Sequence, residues 1–135
     1  MTRVRCFPYT PEFTAGLGAV DRPILPELYL IGPQGQRLRT QPYVDMGADF
    51  SVYPASFARM LGLQLKAGKP LPISGLYGSG SGYLHVVQAE LLGHIFELPV
   101  IFVKEEQVPA VLGRAGVLDH FWVEYRRDRF CIRRR

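Results

Sequence analysis

Apolar residues recur at every second position over much of this chain, in short runs broken by glycine, proline and charged residues. That period belongs to strands with one buried face. Leu28 and Leu30 share one face of such a strand, and Tyr29 and Ile31 the other. Gly32-Pro33-Gln34-Gly35 signals a turn. Arg37 to Val44 returns as a second strand, with Leu38 and the pair Tyr43-Val44 as its apolar members. Tyr83 to Leu92 and Ile95 to Val103 read as two more strands around a Gly93-His94 turn. In the latter, Phe96, Leu98, Val100 and Phe102 alternate on one face, which suits a sheet interior. Trp122 to Tyr125 and Phe130 to Ile132 close as strands around Arg126-Arg127-Asp128, with Trp122 read as core. A short strand, Val4 to Phe7, opens the chain and runs into a loop ending at Pro26.

Two short helices are predicted among these strands. The first has Pro54 in its opening turn and Gly62 just past its end, where a missing N–H and a left-handed residue are tolerated. Phe57 and Leu61 share its face, with Ala58 beside them. Leu63 and Leu65 then open an extended segment. The second helix follows Val111-Leu112-Gly113, with Val117, Leu118 and Phe121 on one face. The chain is thus expected to be all-β, or β-rich with two short helices. Residues 1–26 form an N-terminal strand and loop, and residues 27–135 the body of one domain.

Composition supports that reading. A chain of 135 residues with 47% hydrophobic content is enough for one core. Eleven prolines and fourteen glycines, scattered between apolar runs, act as turn punctuation. The net charge is +4, and part of it is local: Arg126, Arg127, Arg129, Arg133, Arg134 and Arg135 crowd the C-terminus. This tail lacks glycine/aromatic interleaving and zinc-finger spacing, so it reads as a solvated terminus and nucleic acid is not expected as a partner. Cys6 and Cys131 are too few for a disulfide framework and are expected as buried free thiols. His85, His94 and His120 share no metal-ligand spacing. No apolar run approaches the ~18 residues that cross a bilayer. The residues from Met1 to Pro8 contain no long apolar signal region. A cytoplasmic protein without metal, cofactor or membrane partner is the expectation.

Three segments carry candidate chemistry, in a set order. Tyr43-Val44-Asp45-Met46-Gly47-Ala48-Asp49 is an apolar strand running into an acid, a glycine and a small residue. Ser74 to Gly82 is rich in glycine. Val111-Leu112-Gly113-Arg114 puts two hydrophobes before a glycine and an arginine. Taken alone, an acid-x-Gly turn is common, and Asp45, Asp49 and Ser51 also suit a turn or a helix entry. Together, the order and spacing are similar to those of the retropepsin-like aspartic peptidases, over about residues 27 to 125. The family pattern is hydrophobic-Asp-Thr/Ser-Gly-Ala, then a flap hairpin, then hydrophobic-hydrophobic-Gly-Arg.

The resemblance implies a closed, barrel-like half of an acid protease. One motif per chain implies a homodimer, in which Asp45 of each copy forms a catalytic dyad. Two carboxylates about 3 Å apart share one proton, so one activates water while the other protonates the scissile carbonyl. It further implies that Gly47 and Ala48 line the substrate backbone, and that Asp49 and Arg114 form a partly buried ion pair beneath the site. Gly75, Leu76, Tyr77 and Gly78 fall in the flap, and Gly113 and Met46 among the supporting residues. Met46 departs from the pattern: Thr or Ser normally stands there, and its hydroxyl bonds to the partner loop. Methionine cannot make that bond. Two readings therefore stand side by side, a peptide-cleaving homodimer and a catalytically impaired dimeric module that binds peptides or proteins.

Overall fold

The structure, a computed structural model, describes residues 4–75 and 78–135. The main sheet is built around one long strand, β9. Counting along the chain, its members are β4 (Leu28–Ile31), β5 (Arg37–Thr40), β6 (Tyr43–Val44), β7 (Ser51–Pro54), β8 (Lys69–Gly75), β9 (Gly78–Leu91), β10 (His94–Val103) and β11 (Val111–Leu112). Their order is β5-β4-β9-β10-β7-β11-β6, with β8 pairing β9 beyond the end of β4. Strand β10 lies antiparallel to β9 and parallel to β7, so both its edges are used. That explains its apolar sequence: Phe96, Leu98, Val100 and Phe102 are all buried. Leu28 and Leu30 are fully buried, while Tyr29 and Ile31 between them are partly exposed. Pro70 and Pro72 are accommodated because β8 pairs on one edge only, with β9, among the described residues.

Two smaller sheets complete the molecule. Strands β1 (Val4–Pro8), β12 (Phe121–Tyr125) and β13 (Arg129–Arg134) form a sheet in the order β1-β13-β12. Strands β2 (Thr10–Thr14) and β3 (Gly18–Arg22) form a separate hairpin in what was expected to be a loop. Its strands contain few hydrophobes and are held by backbone pairing; Phe13 and Leu17 stand out into solvent.

Other expectations need correction. The first helix is present as α1 (Ala55–Met60), with Gly62 in the left-handed region just beyond it. The second is not: residues 114–120 make successive turns, Val117 N–H to Arg114 O and Phe121 N–H to Val117 O. Gly116 interrupts any helix there with φ of +79°, and a Cβ on it would meet the Glu97 carbonyl oxygen at 2.9 Å. Leu65–Ala67 is a single 3-10 turn rather than an extended run. The β9–β10 turn falls at Leu92-Gly93, both with positive φ. Trp122 is 49% exposed rather than core. Phe121 takes the inward position on β12, and the strand period sends its neighbour to the other face. The guanidinium groups of Arg133 and Arg135 cover the indole, 5.0 and 4.0 Å from its ring. The arginines expected as a solvated tail thus partly fold back onto the sheet.

Cys6 and Cys131 are not free thiols. They lie directly opposite one another on β1 and β13 and form a disulfide. The bond closes a loop with a sequence separation of 125. It restricts the unfolded chain accordingly. Replacing both cysteines by alanine is expected to lower unfolding free energy by about 2–5 kcal/mol. Urea denaturation of the oxidised protein and the double variant measures this, and a loss well under ~1 kcal/mol would contradict it.

Candidate active site

Asp45 sits where β6 ends. Val44 and Leu112, on the paired strands β6 and β11, are buried and hold this crossing in the core. Backbone bonds continue beyond the short ladder. Tyr43 N–H donates to Ala110 O at 2.9 Å, and Asp45 N–H donates to Leu112 O at 2.9 Å. Past Val44 the chain turns outward, and Asp45 is exposed. Its carboxylate is nonetheless oriented: Oδ1 accepts the Gly47 N–H at 2.9 Å, and its carbonyl accepts the Ala48 N–H at 3.1 Å. An Asp side chain bonded two residues ahead is an ordinary way of shaping a turn.

The segment after β11 grips the same loop. Arg114 N–H donates to Ala48 O at 3.0 Å, and Ala115 N–H to Asp49 O at 2.9 Å. Gly113 N–H donates to the hydroxyl of Ser51, which is fully buried at the start of β7. A Cβ on Gly113 would lie 2.5 Å from the Phe50 carbonyl carbon and oxygen and 3.0 Å from Ala48 O. Those are backbone atoms that cannot swing away. The Arg114 guanidinium meets the Asp49 carboxylate, as the motif implied. Their side chains are 46% and 78% exposed, however, so within one chain the pair is a surface pair and not a partly buried one. Such a pair is worth about 0–1 kcal/mol. The backbone bonds therefore do more to fix the loop.

Sequence reasoning missed Tyr125, at the end of β12. Its hydroxyl donates to Val44 O at 2.5 Å and accepts the Met46 N–H at 3.3 Å, bonding the peptide groups on both sides of Asp45. Burial pushes this phenol above its ordinary pKa, and the nearby Asp45 charge adds to the rise. The phenol stays protonated at neutral pH and can donate. No motif spacing marks it; the only hint is an aromatic residue with a polar tip closing a strand.

The other residues predicted for the site fall in three places. Met46, Gly47, Ala48 and Asp49 share the Asp45 loop, and Gly113 and Arg114 lie against it. Met46 is partly buried and packs on the core of its own chain. Gly75 and Gly78 pair with one another near the tip of the β8–β9 hairpin. Leu76 and Tyr77 lie outside the described residues. A cavity of about 650 Å³ opens between Glu12, Arg39, Tyr43, Phe57 and Glu106, and Asp45 is not part of its wall. His94 and His120, distant in sequence, meet at 3.1 Å between Nε2 and Nδ1.

The chain's similarity to known proteins lies in the fold. No family model matches the sequence, and no curated protein matches it. Among solved structures, it resembles a retropepsin-like aspartic protease from Rickettsia conorii, with a TM-score of 0.61 and 12% identity over 99% of this chain and 94% of that one. It also resembles EIAV protease, solved with an inhibitor, with a TM-score of 0.55 and 20% identity over 78% of this chain and 92% of that one. The fold is retropepsin-like and all-β, as the sequence motifs implied.

The crowding at Gly113 gives a direct test. Gly113→Ala is expected to destabilise the protein by about 1–3 kcal/mol. It should shift amide resonances of Ala48, Asp49 and Phe50 more than those of β9 and β10. Wild-type stability with unmoved resonances would show that the loop and strand are not in such close contact.

Proposed function

We propose that this protein is an aspartic endopeptidase that works as a homodimer, with Asp45 of each copy supplying one carboxyl group of the dyad. One observation carries the reading. In a retropepsin-like fold, an exposed aspartate is presented on a loop pinned from two sides, at the position that the family motif assigns to the acid. The reaction calls for two carboxyl groups at once, one to deprotonate water and one to protonate the carbonyl, and this chain carries one such motif. The two-fold partner supplies the other half, and the dyad titrates as one unit.

In this reading Gly47 and Ala48 leave room for an extended peptide backbone beside the acid. Asp49 and Arg114 become more buried when the second copy covers them, which strengthens their attraction. Gly113 lets the loop seat closely, and the hairpin carrying Gly75, Leu76, Tyr77 and Gly78 closes over the substrate. The chemistry calls for neither metal nor organic cofactor. The cytoplasmic expectation rests on the lack of a bilayer-spanning run and of a long apolar signal region near Met1, with the cysteines as free thiols; the Cys6–Cys131 disulfide fits an oxidising compartment better. Thiol counting on protein isolated without reductant distinguishes the two.

The second reading, a dimeric module that binds peptides without cutting them, is favoured by Met46. Its side chain brings no hydroxyl to the acid and is packed against its own chain. The test is cleavage of a broad peptide library between pH 4 and 7, alongside sedimentation equilibrium. The peptidase reading expects a dimer that cleaves, and an Asp45→Asn rate lower by on the order of 10²–10⁴. Activity unaffected by Asp45→Asn, or a strict monomer at high concentration, refutes it. An inert wild type in which Met46→Thr restores cleavage supports the binding module.

A further inference from the structure

The Asp45 loop is gripped on one side by backbone bonds from residues 112–115 and on the other by a single phenol. We infer that Tyr125 is a positioning residue for Asp45: its hydroxyl fixes the peptide planes before and after the acid, and so sets where the carboxyl group points. The consequence for catalysis rests on the peptidase reading; the positioning itself does not. The geometry is specific. One oxygen atom donates to Val44 O and accepts from Met46 N–H, so it spans the residue between them. Rotation of either peptide plane would break one of the two bonds.

The phenol can act this way because its own support is rigid. Tyr125 stands opposite Phe130 in the β12–β13 ladder, and Phe130 is fully buried. The Phe130 ring packs against Phe7 at 5.3 Å and Tyr9 at 5.9 Å. Next to Phe130, Cys131 ties β13 to β1 through the disulfide. A group held by a cross-linked sheet loses little further freedom when it bonds the loop. Burial raises the pKa of the phenol most; the Met46 N–H bond works against that rise, and the nearby Asp45 and Tyr9 add to it.

The assignment also changes the meaning of Met46. The residue after the acid brings no hydroxyl, yet the loop is bonded to one, and that hydroxyl comes from the same chain. The acid is therefore oriented before any second copy arrives. The bracing of each Asp45 is made entirely within one copy.

Tyr125→Phe tests this, because it keeps the ring and removes only the hydroxyl. Circular dichroism and amide exchange in β9 and β10 report whether the rest of the fold is intact. Against that control, Met46 amide exchange is expected to rise about tenfold, and the Asp45 carboxyl 13C resonance to move. If the wild type cleaves peptides, kcat should fall roughly tenfold while KM stays within about twofold. Unchanged Met46 exchange with an unmoved Asp45 resonance overturns the assignment. So does faster exchange spread evenly through β9 and β10, which would mark a general stabilising role. Should the variant not fold, the wild-type chain itself takes its place: a nuclear Overhauser contact between the Tyr125 ring protons and the Met46 amide proton is expected, and its absence overturns the assignment. An inert wild type counts against the peptidase reading alone and leaves the resonance and exchange measurements to decide on Tyr125.

Discussion

Hydrogen bonds between residues 45–51 and residues 112–115 place the loop that carries the candidate acid, and Tyr125 braces that loop from its other side. Strands β6 and β11 are two residues long. Isolated strands of that length have no stability of their own. They persist because Val44 and Leu112 are buried, and because β11 sits between β6 and β7 in the main sheet. The absence of a side chain on Gly113 lets the Ala48–Phe50 backbone approach closely enough for the N–H groups of Gly113, Arg114 and Ala115 all to find acceptors. The geometry of the candidate site is thus a packing result first and an electrostatic one second. The exposed Asp49–Arg114 pair decorates this junction and, in one chain, contributes little to holding it.

What could be read from the sequence was what period and motif order encode. Strands with a buried face announced themselves, as Leu28/Leu30 and Phe96 to Phe102 show. The Asp-x-Gly-Ala and Val-Leu-Gly-Arg segments lie together in space, although 65 residues separate Asp49 from Arg114. The failures have distinct physical causes. The β2–β3 hairpin exposes most of its few hydrophobes, so no apolar alternation marks it. The run Val117-Leu118-Phe121 has helical spacing, but Gly116 is needed in a left-handed conformation against Glu97 and Pro99, and that requirement outweighs the spacing. Trp122 misled because hydrophobicity alone does not say which face of a strand a residue takes. The disulfide depended on register between the two ends of the chain, which no local pattern reports.

Tyr125 illustrates a further limit. Its link to Asp45 runs from a side-chain hydroxyl to backbone atoms, across a sequence separation of 81 between Tyr125 and Val44. Backbone groups are the same at every position, so such a bond leaves no paired residue types in the sequence. A motif search finds the loop and misses what braces it. The same reasoning applies to Met46. The motif pattern implies a lost hydroxyl, whereas the structure shows a hydroxyl bonded to that residue's amide from elsewhere in the chain.

The terminal sheet constrains how two copies could meet. Its middle strand, β13, is paired on both edges, by β1 and β12, and the disulfide fastens β1 in place. Both ends of the described chain therefore have partners within the same copy. Any pairing between copies through this sheet has only the outer edges of β1 and β12 to use, since backbone groups already bonded cannot be shared without breaking the existing ladder. Strand β12 ends in Tyr125. A contact along β12 would press on the strand that carries the phenol, and hence on the orientation of Asp45. A contact along β1 would act on it less directly, through the disulfide to β13 and the packing of Phe7 and Tyr9 on Phe130. Assembly and acid geometry are coupled strongly in the first arrangement and weakly in the second, because the number of packed layers between the contact and the loop differs.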